Sequence, residues 1–143
     1  MGEADGYRLR PVRDARTRDE RVKKGELAGA VGEAATSASA LAAATERAER
    51  ARAALATAIR ARAAQGSAAT IVRAEQFVLR RRRELDQAID EQLRKAAAHH
   101  GQLAEVDTAR ARLTHARGQR EVIERHFAQW RTERRKLAER RED

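Results

Sequence analysis

Apolar side chains recur along the chain at alternating intervals of three and four positions, the spacing that places them on one side of a helix. In the first half they form a line that we call the first seam: Leu27, Val31, Ala34, Ala38, Leu41, Thr45, Ala48, Arg52, Leu55 and Ile59. Such a line, with a single charged member, is typical of a coiled-coil helix. Val12, Ala15 and Val22 extend it toward the N-terminus if the spacing slips once near Gly25.

The same spacing resumes in the second half of the chain and predicts a second helix. Its line, the second seam, consists of Val78, Leu85, Ile89, Ala96, Leu103, Val106 and Leu113, followed after a phase shift near Arg110 by Ala116, Ile123, Phe127, Trp130 and Leu137. Between the seams, the segment AQGSAATIV (64–72) has the strongest turn signal. Gly66 suits the left-handed position that ends a helix, and Ser67 or Thr70 can cap the next one.

These signals predict one all-α domain over residues 1–143, a long antiparallel two-helix coiled-coil hairpin. The predicted parts are an N-terminal tail (1–11), helix 1 (12–64), a turn (65–70) and helix 2 (71–141). A short turn forces the helices to run antiparallel, and the chain then places residue i opposite about residue 135 minus i. In this register Gly32 and Gly101 lie at one level, which favours close packing of the helices there, with a hinge as the alternative.

The few aromatic residues are concentrated where this register brings the two ends of the chain together. Tyr7 is expected near Ala128, and Val12 near Ile123. We therefore predict a cluster that clamps the open end of the hairpin, formed by Tyr7, Leu9, Val12, Ile123, Phe127 and Trp130. Aromatic side chains bury the most area per residue, so a few suffice where alanine-on-alanine packing alone would fray.

Composition excludes several classes of protein. Alanine supplies most of the 41% hydrophobic residues, and large apolar side chains are too scarce for a layered globular core. The absence of cysteine excludes disulfides. No apolar stretch is long enough to span a membrane, and the first residues lack the apolar segment of a signal peptide, so a cytoplasmic location without membrane insertion is the simplest interpretation.

Candidate chemistry is sparse in this sequence. The chain has four histidines, none of them four positions from another, so no metal site is predicted. Asp86, Asp90 and Glu91 lie close together on helix 2, but acid–base work needs a partly dry pocket that a two-helix hairpin does not offer. No phosphate-binding loop or nucleophile motif is present. We therefore expect no enzymatic activity and no cofactor.

The formal charge of +9 is spread over the whole length with acidic residues interleaved, which is typical of a solvated helix surface. In the run LRRRREL (79–85) four arginines surround the helix, and Arg82 lies on or near the seam. No aromatic residues interleave with this run as a stacking platform would require, so an acidic protein partner is favoured over nucleic acid.

Large apolar residues are crowded at the start of helix 2: Ile71, Val72, Phe77, Val78 and Leu79. The opposite helix offers only Leu55 and Ile59 to cover them. Some of the five should therefore be exposed, which indicates a docking site. Simple packing at the tip of the hairpin and mild oligomerisation are the alternatives.

The start YRLRPVRDAR (7–16), a hairpin of this length and the end REVIERHFAQWRTERRKLAERRED (120–143) together resemble the FliJ/YscO family. These are the small stalk proteins of flagellar and virulence type III export machines. The resemblance covers nearly the whole chain. Flagellar members usually end in a Glu-Gln-Lys-like run followed by Asp-Glu, whereas this chain ends in ERRED, and both the flagellar and the injectisome branch stay open.

The resemblance implies a stalk whose paired terminal helices insert into a hexameric export ATPase, while the other part contacts the cytosolic domain of the export-gate protein. Some members also handle export chaperones. The positions implied to face the ATPase lie in 8–24 and 117–141 and include Arg13, Arg16, Arg131 and Arg134. Those implied to face the gate are Phe77, Val78 and Leu79. The residues alone leave two other functions open, a basic nucleic-acid-binding coiled coil and a homodimeric scaffold paired through Leu27 to Ile59.

Overall fold

A computed structural model of the chain describes residues 6–143, of which nearly all are helical. Helix α1 spans Arg10–Ala63 and helix α2 spans Ala68–Glu142. The two helices pack against each other, and the described residues form no strand, which confirms the predicted all-α helical hairpin. Both helices begin before the predicted 12 and 71, and residues 1–5 of the predicted tail lie outside the described residues.

Helix α1 ends without any residue in the left-handed backbone conformation. The backbone nitrogens of Ala64 and Gln65 donate to the oxygens of Ala61 and Arg62, each at 3.2 Å, and the side-chain amide of Gln65 also reaches the Ala61 oxygen at 3.1 Å. These three-residue bonds satisfy the last carbonyls of α1. The φ angle of Gly66 is not positive, so the predicted left-handed role of this glycine is wrong.

Helix α2 begins with a reciprocal cap between the two residues proposed for it. The Thr70 backbone nitrogen donates to Ser67 Oγ at 3.3 Å, and the Ser67 nitrogen donates to Thr70 Oγ1 at 3.2 Å. This arrangement resembles a capping box, with threonine in the place of the usual glutamate or glutamine. Because Ser67 is the capping residue, α2 starts at Ala68, three positions before the predicted start.

The chain divides into two compact units. The first unit comprises Met1–Val31 with Glu105–Asp143, and the second comprises Gly32–Ala104 and contains the turn. In the second unit Gln92 donates to Thr45 at 3.2 Å, and Arg62 contacts Glu75 at 3.1 Å. The predicted register places residues 90 and 73 opposite Thr45 and Arg62, so the true pairing is antiparallel, as expected, but slightly displaced.

Three of the ten residues predicted on the first seam, Val31, Ala38 and Arg52, are exposed, and the residue just before each of them lies at the interface instead. In the second unit the most buried residues of α1 are small: Ala34, Ala44, Ala48 and Ala58. On α2 the most buried residue of this unit is Val78, which is 1% exposed. Ala38 and Arg52, predicted at the interface, are exposed instead, because the interface uses Ser37 and Ala51 beside them.

The seam of the first unit has no phase slip near Gly25 and no shift near Arg110. Buried and half-buried positions continue the three-and-four alternation without a break, as Arg13, Arg16, Glu20, Lys23, Leu27 and Ala30 on α1, and Val106, Ala109, Leu113, Ala116, Arg120, Ile123, Phe127 and Trp130 on α2. Val12, Val22 and Val31 are 40%, 55% and 48% exposed. They were predicted on the seam because they are apolar, whereas charged residues and Ala30 occupy it.

The last two seam predictions concern Leu103 and Leu137, which are 46% and 53% exposed and therefore lie off the interface. Gly32 and Gly101 do not mark a close approach of the helices either. A methyl group built on either glycine would meet no atom within 4 Å. The prediction that the two helices pack closely at Gly32 and Gly101 is therefore wrong.

Candidate interaction surfaces

The aromatic residues of the first unit form one cluster across the two helices. The ring centroid of Tyr7 lies 5.0 Å from that of Phe127 and 5.1 Å from that of Trp130, and Phe127 and Trp130 stack at 5.7 Å. Tyr7, Ile123 and Phe127 are 4%, 8% and 7% exposed. These separations lie in the range where aromatic pairs stabilise beyond the area that they bury.

The edges of the aromatic cluster are polar and only partly covered. The Tyr7 hydroxyl and His126 Nδ1 form a hydrogen bond of 2.6 Å. Leu9 and Trp130 are half-buried. Val12, the remaining residue of the predicted clamp, is 40% exposed and lies outside the cluster, because α1 turns Arg13 toward α2 in its place.

The four arginines implied to face an ATPase fall into two pairs with different surroundings. Arg13 binds both carboxylate oxygens of Glu124, at 2.8 and 3.2 Å, and its guanidinium lies 4.0 Å from the Phe127 centroid. The hydrogen bond to Glu124 raises the pKa of Arg13 above its ordinary value, against the opposing effect of burial. Arg16 donates to Gln119. Both arginines therefore hold the two helices of the unit together.

The other pair of arginines is exposed. The Arg131 and Arg134 side chains lie over the outer faces of the aromatic cluster, with Arg131 Cζ 5.7 Å from the Phe127 centroid and Arg134 Cζ 5.1 Å from the Trp130 centroid. At these distances the cation attracts the ring face without being desolvated. Of the four predicted positions, these two are exposed at the surface, whereas Arg13 and Arg16 are half-buried.

A buried carboxylate near the middle of the first unit was missed from the sequence. Glu20 is 6% exposed and sits on the seam. It accepts a hydrogen bond from Arg120 Nε, and Arg117 Nε and Lys24 Nζ lie 3.5 and 3.3 Å from its oxygens. Counting back from Leu27 in steps of four and three reaches position 20. The prediction placed the apolar Val22 on the seam and therefore missed Glu20.

Two opposing effects determine the pKa of Glu20. Burial raises it, because a charged carboxylate is costly to remove from water. The hydrogen bonds from Arg120 and Lys24 and the charges of these two groups lower it, and they prevail, so the pKa lies below its ordinary value of 4.5. Glu20 is therefore charged at neutral pH.

The three residues implied to face an export gate do not share one environment. Phe77 and Leu79 are 38% and 46% exposed, whereas Val78 is 1% exposed and packs inside the second unit. The guanidiniums of Arg81 and Arg80 lie 4.8 and 5.9 Å from the Phe77 centroid. Phe77 and Leu79 are thus accessible to a partner, and Val78 is not.

The arginine run also differs from the prediction. Arg81 is half-buried and contacts Glu84 at 2.7 Å, whereas Arg82, predicted on or near the seam, is exposed. Beside the run lies a shallow groove of about 480 Å³, whose lining includes Ala58, Ala61, Ala74, Arg62, Arg73 and Arg80. A groove lined by both arginines and apolar side chains can bind an anionic partner that also has apolar groups.

The other polar candidates are simple surface residues. Asp86 and Asp90 are exposed, and Glu91 is held by Arg47 at 2.9 Å. His99 forms a hydrogen bond of 2.7 Å with Ser37. Over residues 6–143 no group of three or more histidine, aspartate or glutamate side chains is placed to hold a metal ion.

None of the described helices is long and apolar enough to cross a membrane. Comparisons with protein-family models, with curated proteins and with solved structures found no match to this chain.

Proposed function

We propose that the chain is a non-enzymatic stalk component of a type III protein export apparatus, flagellar or injectisome, that works in the cytoplasm beside the membrane-embedded machine. The proposal begins from the resemblance of residues 7–16 and 120–143 to the FliJ/YscO family. In that role the paired terminal helices enter a hexameric export ATPase and regulate its activity, and the turn end contacts the export gate.

The observation that supports this proposal most directly is the cluster of Tyr7, Phe127 and Trp130. It joins the N-terminal segment to the C-terminal half of α2, so that the two form one paired element. Such an element transmits force or position better than two separate helices, because its side chains are held by packing from both sides.

The charges around the cluster supply a means of recognition. Arg131 and Arg134 are exposed on the same side of the molecule as the rings that they cover. An ATPase lined with carboxylates would attract them, and charge complementarity of this kind guides association and fixes orientation. At the turn end, the exposed Phe77 and Leu79 are the gate-facing residues that remain accessible.

Titration of an export ATPase with the protein tests the proposal. We expect a complex and a higher rate of ATP hydrolysis for the parent chain, and a weaker complex for the Arg131→Ala, Arg134→Ala double variant. The matched control is Arg110→Ala, Arg112→Ala, which removes the same charge from two exposed positions of the same unit that lie outside 8–24 and 117–141. Unchanged hydrolysis together with no detectable complex would contradict the proposed function.

A further inference from the structure

Two-thirds of the net charge of the chain is concentrated around the turn. Residues 60–83 include seven arginines and a single acidic residue, Glu75, which gives +6 of the total +9. The net charge is therefore less evenly spread than expected, since the neighbouring stretches 25–59 and 84–104 have net charges of −1 and −2. All seven cations are arginines, whose planar guanidinium binds phosphate oxygens in pairs.

Most of these arginines lack an internal counter-charge. Arg62 contacts Glu75 at 3.1 Å, and Arg81 contacts Glu84 at 2.7 Å. Within the described residues Arg73, Arg80 and Arg83 are exposed and form no ion pair. Their charge is therefore available to an external anion.

Exposed aliphatic residues alternate with these cations along one outward side of α2. Val72 and Leu79 are seven positions apart and 57% and 46% exposed. Arg73 and Arg80 follow directly after these two residues and are also seven positions apart. The two apolar side chains therefore form one row along the helix, and the two cationic side chains form a second row beside it. Arg83 lies one helical turn beyond Leu79. We call Val72, Arg73, Leu79, Arg80 and Arg83 the turn face.

We propose that the turn face binds an anionic phospholipid surface. Basic residues near such a surface each add to the attraction, and aliphatic side chains between them enter the boundary of the acyl chains. The adjoining groove is lined by Arg73 and Arg80 as well, and at about 480 Å³ it has room for an anionic headgroup.

The geometry favours lipid over the other anionic partners. Val72 and Leu79 project from the convex side of a helix, where a protein would have to supply a matching cavity but a fluid bilayer adapts to them. The region has a single aromatic residue, Phe77, whereas binding of single-stranded nucleic acid uses several aromatic rings on which successive bases stack. Lipid attachment requires no export machine and does not rest on the proposed function.

Co-sedimentation of the full chain with vesicles tests the inference. Vesicles of phosphatidylcholine with phosphatidylglycerol should bind the protein at low salt, and vesicles of phosphatidylcholine alone should not. Arg73→Gln, Arg80→Gln, Arg83→Gln should lower the partition coefficient roughly 100-fold. Val72→Ser, Leu79→Ser should lower it about tenfold, since less apolar surface enters the bilayer.

The matched control is Arg21→Gln, Arg112→Gln, Arg135→Gln, which removes equal charge from exposed positions outside the turn face and should bind nearly as well as the parent. Circular dichroism checks that each variant is helical. Absence of binding to anionic vesicles overturns the inference. So does binding that Val72→Ser, Leu79→Ser leaves unchanged, because it would mark a site for polyanions such as RNA. The assay contains neither ATPase nor gate protein, so its failure is distinct from failure of the stalk proposal.

Discussion

The carboxylate of Glu20 is buried between the two helices of the first unit and accepts a hydrogen bond from Arg120 Nε. A charged residue at a seam position is costly to desolvate, and only a matching cation on the facing helix offsets the cost. Sliding the helices by one position would separate Glu20 from Arg120. The pair therefore favours one register, much as a buried polar residue does in other coiled coils.

Glu20→Gln should lower the free energy of unfolding, because it leaves Arg120 and Arg117 without a carboxylate. Urea denaturation followed by circular dichroism measures the change. Glu33→Gln is the control, since Glu33 is exposed on the same helix and its loss should cost less than about 0.5 kcal/mol. Equal stability of the two variants would show that the ion cluster contributes nothing.

Replacing both partners should be milder than replacing one. In Glu20→Leu, Arg120→Leu no charge of this pair stays buried, and apolar side chains at seam positions pack well, so we expect stability near or above that of the parent. The cost should appear in specificity, as a larger dimer fraction in sedimentation equilibrium. A double variant that unfolds as easily as Glu20→Leu alone would contradict this account.

Stability should depend on pH through the same carboxylate. The pKa of Glu20 is lower in the folded chain than its ordinary value of 4.5, so the folded state favours the charged form. Its contribution is complete above the ordinary pKa and is lost as the pH falls through the lower, folded-state value. The difference in unfolding free energy between the parent and Glu20→Gln should thus be constant near neutral pH and shrink in acid. A difference that grows in acid would reverse the assigned direction.

Truncation of the aromatic cluster should destabilise the chain in proportion to burial. Phe127 is 7% exposed, and Phe127→Ala should cost about 3 kcal/mol or more. Trp130 is half-buried, so Trp130→Ala should cost about 1–3 kcal/mol. The control is Phe77→Ala, at a ring that is 38% exposed, with a smaller loss. In the parent, Trp130 fluorescence should shift to the red on unfolding, and an unchanged emission maximum would place the ring in water from the start.

Alanine should stabilise the chain at Gly29, Gly32 and Gly101. Each is helical, and an added methyl group would meet no atom within 4 Å, so each change should gain about 0.5–1 kcal/mol by the higher helix propensity of alanine. Gly6→Ala is the contrasting variant, because its methyl would lie 2.6 Å from Arg134 Nη1 and should give no gain. Thermal unfolding measures all four. A loss of stability at Gly32 and Gly101 would support the close packing of the helices that the structure does not show there.

The periodicity of the sequence is enough to predict the two antiparallel helices, because few residues other than the segment 64–70 interrupt the helical pattern. The cap formed by Ser67 and Thr70 can also be predicted from the sequence, since a hydroxyl residue three positions before another polar residue commonly caps the start of a helix. The position of the seam is harder to predict. Alanine occurs both at the surface and at the interface of this chain, so it does not indicate which positions are buried. The larger apolar residue Val31 was therefore predicted at the interface, whereas the neighbouring Ala30 lies there.

The polar part of the interface could not be recognised from residue types. Arg13, Arg16 and Glu20 look like surface residues until their partners on α2 are known, and those partners are about a hundred positions away. Val12 and Val22 look like interface residues because they are apolar, but both are exposed. The pairing partners of such charges cannot be read from the sequence of either helix alone.

The short turn capped by Ser67 and Thr70 also sets the order in which the chain can fold. Arg62 and Glu75, on either side of the turn, are 13 positions apart, whereas Tyr7 and His126 are 119 apart. Because a longer loop costs more entropy to close, pairing starts most cheaply beside the turn, and each pair formed shortens the loop for the next. We therefore expect the aromatic residues to meet last, and α1, which precedes α2 in the chain, is synthesised before the helix that covers it.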